Sequence, residues 1–190
     1  MAKQLPPGQF ETEKWPILHE GDVYPFDEST WDFRLFGDVK EEVSLSYQQV
    51  MKLPKTISTI DMHCVTTWSK FDTTFEGIAF REFLRFVELD SDVKYVKIYD
   101  YLNQDRFGYS ANLPLEVPMG DDALFVYRWK DKHRDWQDIP QNMAIRSALW
   151  KGAKWASEIR FMKKDEPGYW EQRGYSMNSN PFKEERFADR

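Results

Sequence analysis

The sequence predicts an α+β domain built on mixed sheets. Three observations carry that expectation. Period-two or β-branched stretches recur along the chain, short helical patterns interrupt them, and no regular strand–helix–strand repeat links them. A chain of 190 residues fits one domain, and one of that size buries roughly 70% of the surface its unfolded form exposes. Its expected division is an extended arm over 1–30, a domain over 31–164, and an aromatic tail over 165–190 packed on the same domain.

The elements follow in order. The arm is rich in Pro, Gly and acids. Trp31-Asp32-Phe33-Arg34-Leu35-Phe36-Gly37 alternates apolar with polar residues and reads as a strand, closed by Gly37 and Asp38. Ser46-Tyr47-Gln48-Gln49 fits a capping box, in which Ser46 accepts from the amide three residues on and Gln49 reaches back. The helix it opens runs to about residue 53, where Pro54 stops it. Residues 56–62 are rich in β-branched side chains and read as a strand that delivers Cys64 at or just past its end. Phe80, Phe83, Leu84 and Val87 fall on one helical face. Residues 93–99 read as a central strand and 123–129 as another. Trp155, Ser157, Ile159 and Phe161 alternate with Ala156, Glu158, Arg160 and Met162, the pattern of a half-buried strand. The tail is turn-rich yet keeps Tyr169, Trp170, Tyr175 and Phe182, so it is expected to be tied down over the domain.

Composition excludes several functions. Lys plus Arg is 26 against 32 Asp plus Glu, a net charge of −6 without a basic block, which argues against nucleic-acid binding. Met1-Ala2-Lys3-Gln4-Leu5-Pro6-Pro7 has no apolar stretch of a secretory signal. No run approaches the ~18–20 apolar residues of a membrane span. The expected location is the cytoplasm, where a free thiol stays reduced. There is no G-x-S-x-G elbow, P-loop or GxGxxG string. The pairs Glu41-Glu42, Asp121-Asp122 and Glu184-Glu185 are expected on solvated faces. Aromatic residues make up 16%, eight of them Trp, and suit a wide core or a broad planar ligand.

Cys64 is the single cysteine. It can form no intrachain disulfide, and a Cys-rich zinc or iron–sulfur site needs several thiolates. His19, His63 and His133 are too scattered to complete a metal site. A metal at Cys64 must therefore bring most of its own soft ligands, as a molybdenum or tungsten ion does on the dithiolene sulfurs of a pterin. The ordinary role of an isolated cysteine is a buried, inert thiol. His63 is adjacent, but successive strand side chains face opposite ways, so the two are not expected to clamp one metal.

Two further strings are candidates. In Trp150-Lys151-Gly152-Ala153-Lys154-Trp155, small residues let backbone amides approach a phosphate while the flanking ammonium groups hold it; the alternative is a solvated turn before a strand. Gly108-Tyr109-Ser110-Ala111-Asn112-Leu113-Pro114-Leu115-Glu116 offers a phenol, a hydroxyl and an amide after a glycine, or else is a surface loop.

Taken together and in order, these strings resemble the molybdopterin-binding oxidoreductase domain of the sulfite oxidase superfamily, and most of all its short, stand-alone members in bacteria and archaea. The resemblance runs from Tyr24-Pro25-Phe26-Asp27 and Thr30-Trp31 through His63-Cys64-Val65-Thr66 with Trp68-Ser69-Lys70-Phe71-Asp72. It continues through Gly108-Tyr109 with Asn112-Leu113-Pro114-Leu115-Glu116 and the Trp150–Trp155 string, and reaches Pro167-Gly168-Tyr169-Trp170-Glu171, Arg173-Gly174-Tyr175 and Lys183-Glu184-Glu185-Arg186-Phe187. It implies a mixed-sheet fold of that type and a molybdopterin cofactor carrying molybdenum or tungsten, with Cys64 as the one protein ligand to the metal. It also implies a phosphate-facing role for Gly152, Ala153 and Lys154, Tyr109 beside the metal as a catalytic group, and His63 in the pterin cavity. The reaction implied is oxygen-atom transfer or related two-electron chemistry on a small substrate, with electrons leaving through a separate partner protein. Thr67 stands where most relatives carry Arg, and Gln141 falls where another Arg belongs. Two other readings use the same residues: a non-catalytic binding module with a decayed cofactor site, and a thiol redox protein that uses Cys64 directly.

Overall fold

Among the described residues, two five-stranded sheets enclose an aromatic core, and the hairpin carrying Cys64 belongs to the first of them. The computed structural model describes residues 3–14, 26–100, 108–144 and 151–188, and of residues 136 and 138–144 only the backbone. His19, Tyr24, Pro25 and Trp150 lie outside the described residues, as does the side chain of Gln141.

The first sheet is organised around β5 (Trp68–Ala79). β4 (Lys55–His63) pairs with it antiparallel along one edge. On the opposite edge, β1 (Phe10–Glu11) runs parallel at Trp68 and Ser69, and β8 (Leu124–Asp131) runs antiparallel from Thr74 to Ala79. β9 (Arg134–Ala144) closes that side as the hairpin partner of β8. The second sheet has the order β3 (Val43–Ser46), β2 (Asp32–Gly37), β10 (Ala156–Met162), β6 (Tyr95–Asp100) and β7 (Ser110–Pro114). β10 is parallel to β2 and antiparallel to β6, which makes the sheet mixed.

The inward residues of both sheets form the main core. Phe33 and Leu35 of β2, Ile98 of β6, and Ile159 and Phe161 of β10 meet Ile78 of β5 and Phe125 of β8. The Phe33 ring lies 4.7 Å from Phe83 and 5.3 Å edge-on from Phe125. Each such side chain contributes roughly 1.5–3 kcal/mol by burial. Alternation along β8 sends Leu124 and Val126 into a smaller cluster with Met62, Phe75 and Trp129.

Local reading and fold agree where the signal is local. The box at Ser46 forms: its hydroxyl accepts from the Gln49 amide at 3.3 Å, and the Ser46 amide donates to Gln49 Oε1 at 2.8 Å, opening α1 (Tyr47–Met51). The helix expected across Phe80 to Val87 is shorter than its apolar spacing indicates. α2 spans Phe80–Phe83, a 3-10 turn covers Leu84–Phe86, and Val87 is extended. Spacing by three serves both helix types, so the core contacts survive the change of pitch. The segment 110–114, for which a surface loop was one reading, is instead the buried strand β7. No helix among the described residues is long and apolar enough to cross a membrane.

Candidate active site

Cys64 sits one residue past β4, at the start of the four-residue connection to β5. Its amide donates to the Trp68 carbonyl at 2.8 Å, and its carbonyl accepts from the Thr67 amide at 3.0 Å. Val65 and Thr66 make the turn, and Thr67 takes the left-handed conformation (φ 72°) that completes such loops. Threonine is a costly residue there because it is β-branched. Thr67→Gly is therefore expected to raise stability by about 0.5–1 kcal/mol, read as a higher unfolding temperature. The turn buries the Cys64 thiol to 4% exposure, with Sγ 3.2 Å from the Thr66 hydroxyl.

Tyr109 and Lys154 both interact electrostatically with Cys64. Tyr109 lies just before β7, pinned by its amide donating to Asp100 Oδ2 at 3.1 Å and its carbonyl accepting from the Asp100 amide at 3.0 Å. Burial pushes its phenol well above the usual range, and the negative charges of Glu171, Asp100 and Cys64 push it further. At neutral pH it is therefore a proton-bearing donor. Lys154 is half-buried; burial lowers its ammonium pKa, and the charge at Cys64 works against that shift. Gly152 is half-buried, and Ala153 is fully buried in the main core, so only its backbone is placed to meet a ligand.

His63 stays apart from the thiol in its bonding. Its Nδ1 is 2.8 Å from the Ser69 hydroxyl, and its ring packs edge-on against Phe182 at 5.4 Å and Phe71 at 6.3 Å. Burial pulls its pKa below the usual imidazole value, with Asp61 opposing. Phe182 brings the tail to this side of the site.

Lys151, the other ammonium of its string, is not available to a phosphate. It is fully buried, 2.6 Å from Glu171 Oε1, and donates to Asn112 O at 3.1 Å and Asn112 Oδ1 at 3.0 Å. Asn112 in turn donates to Asp165 at 2.7 Å and accepts from the Gly168 amide at 3.2 Å. This buried polar knot fastens the tail to β7 and sets the Tyr169 ring 5.7 Å from Tyr109. The knot leaves no room at residue 168. A Cβ there would lie 2.6 Å from the Ser110 carbonyl and 3.0 Å from Ala111 Cα, both backbone atoms of β7. Gly168→Ala is expected to cost about 1–3 kcal/mol in thermal unfolding and to expose the tail to limited proteolysis.

Sequence reasoning missed Gln9, whose side chain bonds both the Cys64 carbonyl and the Ser69 hydroxyl. No motif marks a neutral amide in a Pro-rich arm. A surface groove of about 530 Å³ is lined by Thr59, Asp72, Thr74, Lys130, His133 and Asp135 among others; none of the candidate residues borders it.

The donor set constrains the group that can bind. Among the described residues, no three His, Cys, Asp or Glu side chains come together to hold a metal ion. A single buried thiol with a phenol and an ammonium in electrostatic reach fits a metal that arrives with its own sulfur ligands.

Comparison with known proteins identifies the family. Residues 20–170 match the model of the oxidoreductase molybdopterin binding domain. The chain is 30% identical over 192 aligned residues to the uncharacterized oxidoreductase YuiH of Bacillus subtilis (strain 168), covering 97% of this chain and 92% of that protein. Its fold is similar to that of the sulfane dehydrogenase SoxCD from Paracoccus pantotrophus, with a TM-score of 0.63 at 12% identity; the match covers 82% of this chain and 43% of that one. By the extent of the family match, and with a relative aligned along nearly its full length, the chain belongs to the oxidoreductase molybdopterin-binding domain family, a sulfite oxidase-like fold whose cofactor is molybdopterin.

Proposed function

We propose that this oxidoreductase holds a molybdenum or tungsten pterin through the Cys64 thiolate, its one protein ligand to the metal, and carries out oxygen-atom transfer or related two-electron chemistry on a small substrate. The observation that carries this reading is the buried Cys64 thiol, in electrostatic reach of Tyr109 and Lys154, with no other metal-binding cluster among the described residues. When bound, the cofactor supplies a two-electron redox centre and its own sulfur ligands. The chain supplies the rest. The β4–β5 turn fixes the direction of the thiolate. Tyr109 keeps its proton because burial and three negative neighbours oppose its loss, so it donates a hydrogen bond to substrate oxygen and stabilises charge that develops there. Lys154 and the backbone around Gly152 and Ala153 face the phosphate-bearing end of the pterin. His63 lines the pterin cavity. Electrons leave to a separate partner protein, and the cytoplasm is the proposed compartment.

The test is elemental analysis of protein purified from a host that makes the pterin cofactor. Wild type is expected to hold stoichiometric molybdenum or tungsten, and Cys64→Ser to lose it while keeping its circular dichroism spectrum. Equal metal in both proteins would remove Cys64 as the ligand. No metal in either would favour a binding module.

A further inference from the structure

We infer that Gln9, in the N-terminal arm, is a positioning residue that fixes both the Cys64 peptide and the proton on His63; the inference rests on Cys64 as the metal ligand. The Gln9 carboxamide spans two partners. Its Nε2 donates to the Cys64 carbonyl at 3.2 Å, and its Oε1 accepts from the Ser69 hydroxyl at 2.5 Å. The first contact decides which end of the amide is nitrogen, because a carbonyl can only accept. The second then uses the one proton of the Ser69 hydroxyl. Ser69 Oγ has only lone pairs left for His63 Nδ1, 2.8 Å away, so that nitrogen carries the ring proton. In the neutral ring, His63 Nε2 is left as an acceptor.

The same carboxamide completes the bonding of Cys64. The Cys64 amide is held by Trp68 O, and its carbonyl accepts from both Thr67 N and Gln9 Nε2. With both peptide groups satisfied, the backbone from which Sγ projects has one arrangement. Gln9 is itself held in register. Phe10 N donates to Thr67 O at 3.0 Å, Thr12 N donates to Ser69 O at 2.8 Å, and Arg186 Nη2 donates to the Pro7 carbonyl at 2.9 Å. Ser69 is fully buried, so water does not compete for its hydroxyl. Groups that orient a metal ligand in this way typically change metal affinity or activity 10–100-fold when removed.

Two variants separate the two contacts. Gln9→Ala removes both. Gln9→Glu keeps an acceptor for Ser69 and loses the donor to the Cys64 carbonyl. The readouts are the His63 tautomer, from long-range proton–nitrogen NMR on histidine-labelled, cofactor-loaded protein, and metal retained through gel filtration. The His63 signal is assigned by its loss in His63→Gln. Wild type is expected to carry the proton on Nδ1. Gln9→Ala frees the Ser69 hydroxyl to donate, so the ring proton moves to Nε2, and metal retention falls about 10–100-fold. Gln9→Glu keeps the Nδ1 proton and loses metal to a similar degree. A wild-type His63 protonated on Nε2, or a Gln9→Ala protein with wild-type tautomer and metal, overturns the inference. Failure of the underlying reading looks different: the expected tautomer pattern with equal metal in wild type and Cys64→Ser refutes Cys64 as the ligand, and with it the positioning of a metal by Gln9.

Discussion

Lys151→Met is expected to destabilise the fold by about 3–5 kcal/mol, measured by urea unfolding. Lys151 and Glu171 are 2.6 Å apart, with side chains 0% and 1% exposed. Removing the ammonium leaves a carboxylate where water cannot reach it, and that uncompensated charge accounts for most of the cost. A double variant, Lys151→Met with Glu171→Met, should recover part of the loss. Recovery stays incomplete because Lys151 also donates to the Asn112 carbonyl, which would keep one acceptor fewer satisfied. Full recovery would mean that the Asn112 contacts carry no energy. A loss below about 1 kcal/mol, the range of an exposed pair, would mean that the knot is hydrated in solution.

Lys70→Met is expected to cost about 3 kcal/mol at neutral pH, with a dependence on acid that identifies its partner. Lys70 and Asp131 are each 3% exposed, 2.8 Å apart, and Lys70 also donates to the Glu13 carbonyl at 3.0 Å. Burial pushes the Asp131 carboxyl up, but the Lys70 ammonium and the His133 and Arg134 amides outweigh it, and the net shift is downward. A carboxyl depressed in the folded state contributes stability that is complete above its unfolded titration range. That contribution is lost as pH falls through the folded value. Wild type therefore loses this contribution below about pH 4, and the gap between wild type and Lys70→Met should narrow there. A gap that does not change from pH 7 to pH 3 would assign the cost to the Glu13 contact and to packing.

What the sequence reveals of this fold depends on how local its causes are. The capping box at Ser46 is legible because all of its atoms come from four consecutive residues. β2 is legible because one face is buried and the other is not. β5 is not, although it organises a whole sheet. Ser69, Lys70, Thr73 and Glu76 are polar and buried, and Ser69, Lys70 and Glu76 are satisfied by residues distant in sequence, so the strand shows no period of two. β7 is hidden for the same reason: Ser110 and Asn112 are buried polar residues, and Gly108 with Pro114 imitates the ends of a loop. At the site, Cys64 stands out by being single. Lys151 is misleading because its partner Glu171 lies in the tail. Gln9 carries no signal because its role exists only after β1 has paired with β5.

The pieces that meet around Cys64 also order events in time. Gln9 reaches the turn from the start of the chain, and Phe182 covers His63 from the far end, where Arg186 clasps the Pro7 carbonyl. A ribosome that has just released residues 63 and 64 has not yet made the segment that closes over them. Sheet pairings and contacts this distant in sequence form slowly and late. A nascent chain therefore presents an unfinished Cys64 turn until the segment around Phe182 and Arg186 has been made. If Cys64 holds the proposed cofactor, the completed bonding around it exists only once that segment has folded back.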